Sequence, residues 1–277
     1  MTEIDEFYGT YRHYIKSIAR GHHDAFMCVA PHGLGKSYQA VKVLENEVGS
    51  RKYHKFPAVT SPFEFYKKLW ELEQSSVEVL FMDDIEGLLR DDRALSILKQ
   101  ATWSETGKRV VGWNSSDSKL QDGDGNEIPQ QFIFSGRVIM IFNEVPEGPI
   151  FDSLKDRCFY HEMDFSWEQR CEIVRKVAQK GMGEDVEKEQ RTRIAEYLID
   201  VIDPSNPYDL NLRTMEKALK HFNSCSDIDS GLSWQEVVSE TINHDEVLAA
   251  ARDIVLDDEY DSVAARKEAF KERTGKS

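Results

Sequence analysis

A short apolar run, Ala25–Ala30 (AFMCVA), passes directly into a glycine-rich turn and then into a helical pattern over Lys36–Val48. The turn reads Ala30-Pro-His-Gly-Leu-Gly-Lys-Ser37, which fits the phosphate-loop pattern G-x-x-x-x-G-K-S/T except for alanine at its first position. A glycine-lysine-serine turn alone is common; one that follows a strand and opens a helix is not. In that setting the backbone N–H groups of the turn and of the helix's first turn converge on a bound phosphate chain. Gly33 and Gly35 allow close approach and a positive φ. Lys36 is spaced to reach the β- and γ-phosphates, and the Ser37 hydroxyl to hold Mg2+. The expected nucleotide-binding set is Ala30, Pro31, His32, Gly33, Leu34, Gly35, Lys36, Ser37 and Tyr38.

Downstream, strands and helices alternate. Strands are expected at Phe56–Thr60, Val77–Met82, Val138–Phe142 and Phe159–Met163, with helices at Pro62–Glu73 and Arg93–Thr102. Alternation of this kind predicts a parallel sheet covered on both faces, whose ligands bind at the carboxyl ends of the strands. The run Val77–Met82 ends in Asp83–Asp84, a pattern in which Asp83 holds Mg2+ and Asp84 orients an attacking water. Asn143 stands just past the strand Val138–Phe142.

A leading helix is expected over residues 4–20, with Ile4, Phe7, Tyr8, Tyr11, Ile15 and Ile18 near helical spacing. Beyond residue 165 the pattern is wholly helical, at Trp167–Lys180, Glu187–Val201 and Leu212–Phe222, with a break at Asp203–Tyr208 and a capping box at Ser233–Glu236. The domains expected are therefore an α/β core over 1–165, a helical lid over 166–225 and a helical C-terminal extension over 226–277. Residues 103–137 exceed what a helix-to-strand link needs, and read as two β-prone runs, Arg109–Trp113 and Gln131–Ser135, around a polar turn. The sequence Asp122-Gly-Asp-Gly-Asn126 has the opening of a calcium loop but meets Ile133 where the closing acid is required.

The net charge of −15, from 50 acidic and 35 basic residues, argues against broad coating of nucleic acid and leaves room for a local basic channel. Cys28, Cys158, Cys171 and Cys225 have no paired spacing and read as reduced thiols. No apolar run is long enough for a transmembrane helix, and the acidic, aromatic N-terminus is unlike a signal peptide. A cytoplasmic location is the expectation.

Taken in order, these motifs resemble the AAA+ superfamily of P-loop ATPases over roughly residues 20–222. The resemblance implies an AAA+ parallel-sheet core with a small helical lid, ATP and Mg2+ as ligands, and a ring or filament of identical chains. It gives Asn143 the sensor-1 role between the two Walker loops. Ser153-Leu-Lys-Asp-Arg157 matches the segment that carries the arginine finger, inserted in trans into a neighbour's site, with Arg170 as the other candidate. Asn211-Leu-Arg213-Thr matches the sensor-2 motif, whose arginine touches the γ-phosphate. AAA+ proteins usually carry Glu where this chain has Asp84, so either Asp84 works from closer in, or Glu86 substitutes, or turnover is slow.

The 103–137 segment is similar to the hairpin that helicase-type AAA+ proteins insert before sensor 1 to meet DNA, with Lys119 placed for a phosphate and Trp113 and Phe132 placed to stack or to pack. Asp122, Asp124 and Glu127 near its tip fit DNA poorly. The block Asp83–Asn143, including Phe132-x-Phe134-x-Gly136, is also similar to AAA-family ATPases of tailed phages, which implies a host-cytoplasmic protein of phage or mobile-element DNA replication: a helicase, helicase loader or related motor. The alternatives are an ATP-dependent protein-remodelling or assembly factor, with a protein partner on the acidic C-terminal extension, and a slow nucleotide-dependent switch.

Overall fold

The computed structural model describes residues 7–56, 61–113, 120–121, 125–144, 148–182, 185–228 and 231–240. The chain divides into two compact units, Met1–Asp164 and Phe165–Ser277.

The first unit opens with α1 (Gly9–Ala19), which buries Tyr11, Ile15 and Ile18 at successive turns. Then come β1 (Ala25–Val29), α2 (Lys36–Glu47), β2 (Tyr53–Phe56), α3 (Pro62–Glu73), β3 (Val79–Asp83), the single turn α4 (Glu86–Leu89) and α5 (Asp92–Thr102). Short strands β4 (Val110–Gly112), β5 (Leu120–Gln121), β6 (Glu127–Ile128) and β7 (Gln131–Ile133) precede β8 (Arg137–Phe142), α6 (Pro149–Lys155) and β9 (Phe159–Glu162). Five strands form one parallel sheet in the order β2-β3-β8-β1-β9. Its central strands β3 and β8 are buried almost throughout, which is why they read as unbroken apolar runs rather than alternating ones. Helix starts follow their capping residues: Ser61 accepts from the Glu64 N–H with Pro62 behind it, and Asp91 accepts from Arg93 and Ala94.

The second strand begins earlier than the expected Phe56–Thr60: Tyr53–Phe56 pairs with Val79–Met82. Residues 57–60 lie outside the described set.

In the inserted segment β4 pairs antiparallel with β7, and β5 with β6, a second ladder not foreseen. Trp113 and Phe132 were expected to stack on a ligand or to pack, and they pack. Trp113 meets the rings of Phe63 and Tyr66, and Phe132 those of Tyr66 and Trp70. Phe134 is buried in the same core. Lys119, Asp122 and Asp124 lie outside the described residues.

The second unit is helical: α7 (Trp167–Lys180), α8 (Lys188–Val201), α9 (Leu212–Asp227) and α10 over 234–240. Ser166 and Gln169 form a capping box at α7, while Ser233 and Glu236 cap α10 reciprocally. Trp234 and Val238 of α10 belong to the same buried cluster as Ile194, Leu198, Met215 and Leu219. A boundary at 225/226 therefore cuts no separate core; the rest of the expected extension, 241–277, is outside the described residues. No helix among the described residues is long and apolar enough to cross a membrane.

Candidate functional site

Register brings the motifs together. Val29 on β1 is level with Phe142 on β8, and Asp83 on β3 is level with Ile141. Strands β1, β3 and β8 therefore end side by side, so the loop after β1, the acids ending β3 and Asn143 after β8 share one edge of the sheet. The Ala30 N–H closes the seam by donating to the Phe142 carbonyl at 3.1 Å.

Gly33 and Gly35 have φ of 74° and 75°, the left-handed values for which glycine is suited. Ala30 is buried and is not among the residues of positive φ. Its position thus makes no demand that only glycine meets, and a small side chain suffices there.

Lys36 is buried at the start of α2. Its Nζ donates to the carbonyls of Ala30 and Pro31, the latter at 2.9 Å, and to Asn143 Oδ1 at 3.0 Å. Asn143 in turn donates from Nδ2 to Asp84 Oδ1 at 2.7 Å. One amide thus links the phosphate-loop lysine to the second acid. Asp84 is the residue with positive φ (56°) among described non-glycines, exposed immediately beyond the strand. Asp tolerates that conformation better than most side chains.

Asp83 is buried, and its Oδ1 accepts from the Ser37 hydroxyl at 3.0 Å. A hydroxyl and a carboxylate at this spacing are hard oxygen donors of the type Mg2+ takes, so the pair fits that ion. The outer oxygen, Oδ2, lies 3.2 Å from Lys55 Nζ on β2. No group of three or more His, Cys, Asp or Glu side chains suited to a metal occurs among the described residues.

The remaining expected residues are not joined to this network by any of the bonds above. Tyr38 is exposed, with Lys42 Nζ 5.9 Å from its ring centroid, and His32 is exposed. Arg157 lies half-buried after α6, donating to the Ser153 carbonyl (3.0 Å) and hydroxyl (2.7 Å), with its guanidinium 5.8 Å from the Trp103 ring centroid. Arg170 is 1% exposed and donates from Nε to the Phe165 carbonyl, a poor posture for reaching into a neighbour. Arg213 is exposed in the first turn of α9, where Asn211 caps the helix by accepting from the Arg213 and Thr214 N–H groups. The Asn211-Leu-Arg213-Thr sequence thus has a local structural use as an N-cap.

Two sets of residues at the site escape a reading by motif. Tyr8 and Tyr11 look like apolar positions of a leading helix, yet their hydroxyls donate to the carbonyls of Leu34 (2.5 Å) and Lys36 (2.9 Å). Lys55 is a lone base on an edge strand, and only the β2–β3 register aims it at Asp83.

No protein-family model and no curated protein sequence matches the chain. Among solved structures, RuvB of Thermotoga maritima, a Holliday junction branch migration motor, superposes with a TM-score of 0.53 at 14% identity, over 99% of this chain and 82% of RuvB. A point variant of the same RuvB gives 0.53 at 16% identity, over 100% and 84%. Likeness at that identity is one of fold, a central five-stranded parallel sheet with flanking helices.

Proposed function

We propose an AAA+ ATPase that binds ATP with Mg2+ at the joined ends of β1, β3 and β8 and acts on DNA in phage or mobile-element replication, as a helicase, helicase loader or related motor. The observation that carries the ATPase reading is the pair of side-chain links Lys36–Asn143–Asp84 and Ser37–Asp83, which tie three strand ends into one site. The loop N–H groups and Lys36 bind the phosphates; Lys36 exchanges its carbonyl acceptors for phosphate oxygens. Ser37 and Asp83 hold Mg2+, which supplies Lewis-acid charge neutralisation when bound. Asp84, held by Asn143, orients the attacking water. Arg157 acts in trans in a ring or filament, leaving Ser153 to reach a neighbour's γ-phosphate, and Arg213 is the sensor-2 candidate that the AAA+ resemblance implies.

The DNA part has two supports: RuvB, of shared fold, is a Holliday junction branch migration motor, and the 103–137 segment resembles in sequence the hairpin that helicase-type AAA+ proteins insert before sensor 1. Measuring ATP turnover of the intact chain with and without single- and double-stranded DNA at low salt tests it. Stimulation by DNA is expected; turnover indifferent to both forms would remove DNA from the reading and leave a protein-remodelling ATPase. A slow switch is favoured by one observation, the short Asp84 carboxylate bonded to Asn143. Multiple turnovers at the rate of ordinary ATPases, about 1 s⁻¹ or faster, would exclude it.

A further inference from the structure

Helix α1 reaches the phosphate loop through two buried tyrosines. Tyr8, the N-cap of α1, is 2% exposed and Tyr11, three positions on in its first turn, is 0% exposed, and both hydroxyls turn to the same loop. They end on the carbonyls of Leu34 and Lys36, which flank Gly35. Arg12, one residue on, donates from Nε and Nη2 to Gln39 Oε1 at 3.0 and 2.6 Å, fixing the same helix against α2.

A trans peptide is planar, with its C=O and N–H pointing in opposite directions. The Leu34 carbonyl shares a peptide plane with the Gly35 N–H, and the Lys36 carbonyl shares one with the Ser37 N–H. Holding each carbonyl on a tyrosine hydroxyl therefore fixes the direction of an N–H on the other side of the loop. Those two N–H groups belong to the turn and first helical residues whose donors have no partner within the helix. Gly35 makes the restraint worthwhile: at φ 75° and without a side chain, it leaves the backbone between the two held peptides free to rotate.

We propose that Tyr8 and Tyr11 are positioning residues that preorganise the phosphate-binding N–H groups of Gly35 and Ser37. Burial holds the Tyr11 hydroxyl protonated, so it donates throughout the working pH range. The inference rests on the loop's being a phosphate site, as proposed above.

The test uses the full chain and the variants Y8F, Y11F and Y8F/Y11F, which keep the rings and remove the hydroxyls. Affinities for ATP and for adenosine are measured by competition against a fluorescent adenine nucleotide, alongside the thermal midpoint of each unliganded protein. Each single variant is expected to weaken ATP by about threefold and the pair by about tenfold or more, with adenosine changed by less than about twofold. Tyr14→Phe is the control; this ring on the same helix stacks on Phe26 with centroids 5.0 Å apart, and its affinity for both ligands should not change. A lower thermal midpoint with an unaltered ATP-to-adenosine ratio would make the tyrosines merely structural and overturn the inference. Should the double variant not fold, the two single variants decide by the same ratio. A wild-type chain that bound ATP no better than adenosine would instead bring down the phosphate-site reading itself, and the inference with it.

Discussion

At the carboxyl edge of the sheet, polar side chains bond one another across long stretches of sequence: Lys36 with Asn143, Asn143 with Asp84, Ser37 with Asp83. In and around the segment between α5 and β8, Arg109 and Tyr66 instead reach backbone carbonyls of the fold. Arg109 donates to the carbonyls of Ala101, Ser135 and Gly136, its guanidinium 5.6 Å from the Phe134 ring centroid. Tyr66 donates to the Pro129 carbonyl, and Ser135 is tied to Glu73. Bonds of the first kind can be exchanged for phosphate or metal oxygens without opening the protein. Those of the second kind fasten the insert to α3 and α5, and breaking them loosens structure. One edge carries side chains joined to one another, as the proposed nucleotide site needs; the described part of the insert is fastened to the fold.

The largest effect that can break this contrast belongs to Lys36. Replacing it with alanine should lower kcat/KM for ATP by about 10³-fold, the scale for losing a group that stabilises transferring charge, with little change in the unfolding midpoint. A midpoint drop as large as that of a core mutation would make Lys36 a structural tie like Arg109. Phe132→Ala is the mirror case. It empties a buried position against Tyr66 and Trp70 and should cost about 3 kcal/mol in denaturant unfolding, while the folded protein keeps its affinity for ATP. Weakened ATP binding in that variant would mean the insert reaches the site. Asn143→Ala comes next: kcat down by about 10²-fold with ATP affinity nearly retained, because the amide aligns Asp84 rather than supplying the main phosphate charge.

Lys55 offers a finer test at the same edge. Its exposed ammonium sits on the oxygen of Asp83 that does not accept from Ser37. Lys55→Ala should leave stability unchanged and tighten the apparent Mg2+ dependence of nucleotide binding by up to about fivefold, the range for an exposed ion pair. Weaker Mg2+ dependence would mean Lys55 supports the metal site rather than competing for it.

What the chain discloses without coordinates divides along the same line. The strand, glycine turn and helix start over residues 25–37 were legible because strand, glycines, lysine and serine are contiguous there. The strand ending in Asp83–Asp84 was legible because a strand buried on both faces is uniformly apolar. Tyr8 and Tyr11 were not, since a tyrosine on the buried face of a helix looks the same whether or not its hydroxyl meets a carbonyl 26 or 25 residues away. The start of β2 at Tyr53 was missed because Tyr53–Phe56 is a half-buried strand whose signal is weak beside the apolar Pro57-Ala58-Val59 that follows. In the insert, Trp113 and Phe132 gave aromatic character without direction. Only pairing settles which face of a two-stranded ladder turns inward.

That pairing carries the smallest expected effect. Val111 opposes Phe132 on the buried face, and one residue along, Val110 opposes Ile133 on the other face, 47% and 51% exposed. Side chains alternate along a strand, so the two pairs differ in position by one residue and in environment completely. Val110→Ser with Ile133→Ser should therefore shift unfolding by no more than about 0.5 kcal/mol, against about 3 kcal/mol for Phe132→Ala. ATP affinity should not move, since nothing on that outer face is tied to the sheet edge. If the same double variant nonetheless abolishes a stimulation of turnover by DNA, the outer face of β4 and β7 is where the insert meets its substrate, and support and recognition lie on opposite sides of one ladder. If stimulation persists, those two side chains have no part in it, and the contact must be sought elsewhere on the chain.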